Sequence, residues 1–171
     1  IHPRVASALN ELGRVAQQQG RLDQAEAHFK RMTSIYRTVH KDKHYVIGVA
    51  LSNLAGVYQD RKQYKEAENL FREVLKRYST ELAPEHQLVG IAKVRLGTTL
   101  VLQTRYPEAE RELQSGYRIL QKQDTPPPIW VERARNGLVT TYDALKNRAA
   151  ADAVKAELAE AAKKATVAVA K

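Results

Sequence analysis

Five histidines and no cysteine set the limits of what this chain of 171 residues can do with metals or nucleophiles. Without thiols it has no disulfides, no thiolate catalysis and no cysteine zinc site. Histidine alone can still gather a metal, and His2, His44 and His86 share one 42-residue phase. A zinc trio, however, needs its nitrogens around one ion at about 2 Å. Residues that recur once per structural unit stand about 8–10 Å from their counterparts, the packing distance between helices. Their expected role is therefore a turn or a helix start. His28 and His40 are isolated in the sequence, where surface positions are expected. The reading is no metal and no cofactor.

The acids give no better catalytic pair. Glu66 and Glu68, like Glu108 and Glu110, are two apart, and residues at that spacing face different directions on a helix. A glycine-rich phosphate loop, Gly-x-Ser-x-Gly and His-Glu-x-x-His are all missing from the sequence, so no nucleotide, hydrolase or metalloprotease constellation is present. The stretch is expected not to be an enzyme, although a longer parent protein could carry a separate catalytic domain.

Charge points to surface rather than to nucleic acid. The 28 Lys and Arg residues outnumber 19 Asp and Glu by nine. They are interleaved with acids, as in Lys62-Gln63-Tyr64-Lys65-Glu66, which is the pattern of a solvated helical face. Nucleic-acid binding is the weaker reading. No run approaches the roughly 18 apolar residues of a membrane span. Ile1-His2-Pro3 leads into a polar segment instead of a signal peptide. A cytoplasmic location is expected, and the missing initiator methionine points to a piece of a longer protein.

The elements that must position any site follow from an internal repeat. Shifting the sequence by 42 residues aligns Leu12 with Leu54 and Leu96, and Gly13 with Ala55 and Gly97. The same shift aligns Ala25-Glu26 with Ala67-Glu68 and Ala109-Glu110, and Phe29 with Phe71 and Leu113. Within a copy the spacing is helical: Leu9, Leu12 and Ala16, then Ala25, Phe29 and Met32. Gln19-Gly20-Arg21 lies between the two stripes, and its glycine can end a helix in the left-handed conformation. Pro107 fits a first helical turn. Each copy reads as helix, turn, helix, with small residues letting the two backbones approach. One hairpin cannot hide both apolar faces, so successive hairpins must stack.

Leu9-x-x-Leu12-Gly13-x-x-Ala16, with Gly20, Ala25, Phe29 and Met32, resembles the tetratricopeptide consensus. The 42-residue period and the opening His2-Pro3-Arg4-Val5 resemble the kinesin-light-chain subtype. The resemblance implies an all-α, right-handed superhelical solenoid of antiparallel helix pairs. The expected organisation is one domain over residues 1–171, with repeats at 2–43, 44–85 and 86–127. An atypical capping repeat is expected at 128–165, after the Pro126-Pro127-Pro128 linker, and a frayed tail at 166–171. Tyr58, Tyr64, Phe71 and Tyr106 are read as core, and Trp130 as core or a repeat junction, with an exposed anchor as the alternative.

The resemblance further implies a non-catalytic scaffold whose first helices line a peptide-binding groove. The residues it places there include Asn10, Arg14, Val49, Ser52, Asn53, Ile91, Val94, Arg95, Arg133 and Asn136. Asparagine amides suit an extended backbone and arginines suit carboxylates. The implied partner is an acidic or mixed peptide with apolar anchors, and pairing with a second copy is allowed at an incompletely capped end. Only Asn53 and Arg95 match the family's carboxylate clamp, with Asn10, Arg14 and Ile91 at its other places, so recognition of a chaperone C-terminus is not expected. The alternative function is a regulatory or sensor appendage of a larger signalling protein, such as a bacterial serine/threonine kinase or transcriptional regulator.

Overall fold

A computed structural model describes the backbone of residues 2–169 and the side chains of residues 2–163. Among the described residues there are eight helices and no strand. They are α1 (Pro3–Gln18), α2 (Leu22–Val39), α3 (Tyr45–Asp60), α4 (Tyr64–Glu81), α5 (Gln87–Leu102), α6 (Tyr106–Gln121), α7 (Pro128–Ala144) and α8 (Arg148–Val169). The chain is an all-α array of helix pairs. It forms two compact units, Ile1–Ala92 and Lys93–Lys171. No helix among the described residues is long and apolar enough to cross a membrane.

The repeating histidines start helices. Nδ1 of His2, His44 and His86 accepts the backbone N–H of Arg4, Val46 and Leu88 at 3.1, 3.3 and 3.1 Å. Each ring thereby satisfies one of the amides that a helix N-terminus leaves without an internal partner. α7 starts differently, with Pro128 in its first turn, where a missing N–H costs nothing. His40 is not isolated: its ring stacks on that of His44, with centroids 4.3 Å apart.

Each pair reverses through the same turn. The amides of Arg21, Gln63, Arg105 and Asn147 bond the carbonyls of Ala16, Tyr58, Leu100 and Tyr142 at 2.8–3.0 Å. The residue before each of these amides, Gly20, Lys62, Thr104 or Lys146, is left-handed, with φ between 58° and 72°. A six-to-one bond across a left-handed residue is the Schellman ending of a helix. Sequence reading identified only Gly20, because the other three residue types do not favour this conformation.

In the first unit Ala6, Leu9, Gly13 and Ala16 form the buried line of α1, and α2 packs against it. Gly13 seats a side chain: a Cβ there would lie 2.6 Å from Cε1 of the buried Phe29. Fully burying such a ring contributes about 1.5–3 kcal/mol. Leu113 plays that part in the second unit, between Gly97 of α5 and Gly137 of α7. The matched alanines, Ala25, Ala67 and Ala109, are all buried. Leu12 departs from the expectation. Leu54 and Leu96 are buried, but Leu12 is exposed, since among the described residues of the first unit no helix covers that side of α1. Of the aromatic stripe, Phe71 is buried while Tyr58, Tyr64 and Tyr106 are half-buried. Most of the tail expected at 166–171 belongs to α8, which continues to Val169; residues 170 and 171 lie outside the described residues.

Candidate peptide-binding surface

The first helices carry the residues that sequence reading assigned to a groove, and the two units treat them differently. In the first unit, Asn53 on α3 donates its amide to Oδ1 of Asn10 on α1 at 2.7 Å. The Asn10 amide in turn donates to Glu11 at 3.1 Å. Two turns along, Gln17 donates to Asp60 at 2.6 Å. These bonds tie α1 to α3 side by side. They also occupy donor capacity that would otherwise face a ligand, since an asparagine has two amide hydrogens and one carbonyl.

Arg14 is exposed and lies 3.6 Å from Glu11. Val49 and Ile91 are half-buried. Ser52 is buried, so it presents almost no hydroxyl surface.

The second unit holds a cationic and aromatic cluster. The guanidinium carbons of Arg95 on α5 and Arg133 on α7 lie 5.5 and 4.8 Å from the ring centroid of Trp130. A guanidinium over an indole is held by the ring quadrupole, and an exposed one can still present its N–H edge to a carboxylate. Trp130 is half-buried, Arg133 and Asn136 are exposed, and Arg95 is half-buried. Trp130 is a platform for two cations, one from α5 and one from α7. Val94 is fully buried and belongs to the core rather than to an apolar strip on the surface.

Sequence reading missed a second cluster beside this one. Arg135 Nε donates to the Tyr117 hydroxyl at 2.8 Å and lies 3.2 Å from Glu157 Oε2, to which Tyr117 also donates. Burial, and then the bond to Glu157, raise the Tyr117 phenol above its ordinary value, and Arg135 opposes them. The three residues come from α6, α7 and α8, and no local spacing signals their meeting. Among the described residues no group of three or more His, Asp or Glu side chains is placed to hold a metal ion.

The family whose model matches is the tetratricopeptide repeat, over residues 4–80 and again over 46–122. The chain belongs to the tetratricopeptide repeat family. Its solved neighbours share the fold. BtubC (BKLC) from P. vanneervenii superposes with a TM-score of 0.82 at 17% identity, over 95% of this chain and 66% of that one. The chain thus spans about two thirds of that protein's length. A kinesin-light-chain candidate from Podosopora anserina with nearly identical TPR-like repeats gives 0.80 at 21% identity, covering 95% and 77%. The TPR domain of Sgt2 from Aspergillus fumigatus gives 0.62 at 18% identity, covering 84% and 80%. No curated protein matches the chain. Structural neighbours at a TM-score of 0.80 thus include kinesin-light-chain-like tetratricopeptide proteins. The tetratricopeptide repeat is commonly a scaffold for protein–protein interaction and typically has no catalytic role.

Proposed function

We propose that this tetratricopeptide chain is a non-catalytic scaffold, and that its second unit binds an acidic or mixed peptide carrying an apolar anchor. The observation that carries this reading is the pair of arginines, Arg95 and Arg133, gathered on Trp130. The exposed Arg133 offers a forked donor for side-chain carboxylates, and Arg95 adds a second positive charge beside it. The indole beside them gives an apolar anchor a flat surface. Anchors of this aromatic and arginine type dominate measured binding energies.

The test is calorimetry with a synthetic acidic peptide containing two leucines, against the same peptide with lysine in place of its acids. The wild-type chain is expected to bind the acidic peptide and not the basic one. Arg133→Glu and Arg95→Glu should each weaken binding by about tenfold or more, equivalent to about 1.4 kcal/mol. Arg133 is exposed, so its replacement should leave thermal unfolding unchanged. Equal affinity for both peptides, or no loss in either variant, overturns the assignment.

A further inference from the structure

α5 closes on a leucine that the core does not use. Leu102 is 45% exposed, whereas Leu100, two residues earlier, is fully buried. The 42-residue repeat places Gln18, Asp60 and Ala144 at the same position, the last residue of α1, α3 and α7, and all three are exposed. The position thus faces solvent in every copy and is polar or small except on α5. It belongs to an inner helix, since α1–α4 precede α5 and α6–α8 follow it. Leu102 also shares a side of α5 with Arg95. Seven residues turn a helix through about 700°, close to two full turns, and advance it by about 10.5 Å. α5 contains no acidic residue. This side therefore has a positive end, where Arg95 and Arg133 lie over Trp130, and an apolar end at Leu102.

The distance between those ends selects a ligand. Side chains on one side of an extended strand lie about 6.7 or 13.4 Å apart. In a polyproline II segment, residues i and i+3 share a side and lie about 9.3 Å apart, nearest to the span from Arg95 to Leu102. We infer that the second unit reads a polyproline II peptide in which an acidic residue and a large aliphatic residue stand three positions apart. The acid meets the arginines and the aliphatic side chain covers Leu102. This inference rests on the acidic-peptide reading above and adds a fixed register to it. The competing anchor is Ile129, which is 69% exposed. It lies four residues before Arg133 on α7, about 6 Å along the axis, and suits a strand with acid and leucine two positions apart. Tyr45, at the same repeat position as Ile129, is also a large exposed side chain, so Ile129 does not depart from the repeat as Leu102 does.

Calorimetry of the intact chain tests this with three peptides of one composition, in which a glutamate and a leucine stand two, three or four positions apart among prolines and serines. The peptide with three-position spacing should bind about tenfold tighter than the other two, the worth of one good anchor. Leu102→Gln should remove that preference, and Ile129→Gln should keep it. Both positions are exposed, so circular dichroism should match the wild type. If Leu102→Gln lowers helicity, Leu102→Ala, which copies Ala144, repeats the test. Equal affinity for the three spacings, with binding still lost when lysine replaces the glutamate, overturns the register and leaves the acidic-peptide reading standing. Tightest binding at two positions, lost in Ile129→Gln, overturns it in favour of Ile129. No binding of any of the three, or equal binding of the lysine peptide, overturns the acidic-peptide reading and this inference with it.

Discussion

Gly48 of α3 lies against the ring of Tyr78 on α4, so closely that a Cβ on the glycine would meet Cζ of the tyrosine at 3.0 Å. Tyr78 is the bulkiest of the fully buried side chains among the described residues. Gly48→Ala is therefore overpacking, with an expected cost of about 1–3 kcal/mol. A chain of this size should lose about 2–4 °C of melting temperature per kcal/mol. Differential scanning calorimetry reads the effect; an unchanged melting temperature would mean that Tyr78 is free to move.

Thr104 is the least favourable of the four left-handed turn residues, since a β-branched side chain is a genuine outlier at φ 59°. Thr104→Gly removes that strain, about 1–2 kcal/mol, and gives part of it back through the greater freedom of glycine in the unfolded chain. The net expectation is a gain of about 0.5–1 kcal/mol, read as a higher urea midpoint at constant slope. The opposite substitution, Gly20→Thr, should lower the midpoint.

His44 caps α3 through Nδ1, and a lost cap costs about 0.5–2 kcal/mol. His44→Ala should show that cost in chemical denaturation. His44→Asp should recover most of it, because a carboxylate also accepts the amide and sits well at the positive end of a helix. If aspartate recovers nothing, the stacking on His40 matters more than the cap.

Alkaline pH should loosen the second unit through Tyr117. Its phenol is raised above 10.0, mainly by burial and next by its bond to Glu157. A raised group stabilises the fold fully below its unfolded value, and that contribution is lost as pH climbs through the folded value. Melting temperature should therefore fall as pH rises above about 10. Tyr117→Phe should flatten part of the fall while costing about 1 kcal/mol at neutral pH for the lost hydrogen bonds. Tyr58, also raised by burial and by Glu26, keeps the remaining slope. An identical alkaline slope in Tyr117→Phe would remove Tyr117 from this account.

The helix pairs are legible in the sequence because their buried lines repeat residue type as well as spacing. Ala25, Ala67 and Ala109, or Phe29, Phe71 and Leu113, announce their environment in every copy. Leu12 shows where that legibility stops. It is the same residue type as Leu54 at the same phase, yet one is exposed and the other buried. Burial there depends on what stacks outside the helix, which no local pattern contains. Val94 fails for a different reason. It neighbours Arg95, and one residue along a helix turns the side chain by about 100°, enough to move it from the surface into the core. The arginine and tryptophan cluster lay beyond reading because Arg95 and Trp130 come from helices α5 and α7, and only folding sets their distance.

The turn that joins α1 to α2 is closed by backbone atoms lying between Ala16 and Arg21. Its bend needs nothing from neighbouring pairs, and the other three turns are built the same way. Reversal of direction is thus a local property, whereas burial at the phase of Leu12 and Leu54 depends on the neighbouring pair. Anyone lengthening or trimming such an array can leave its joints as they are and concentrate on making the two outermost surfaces soluble.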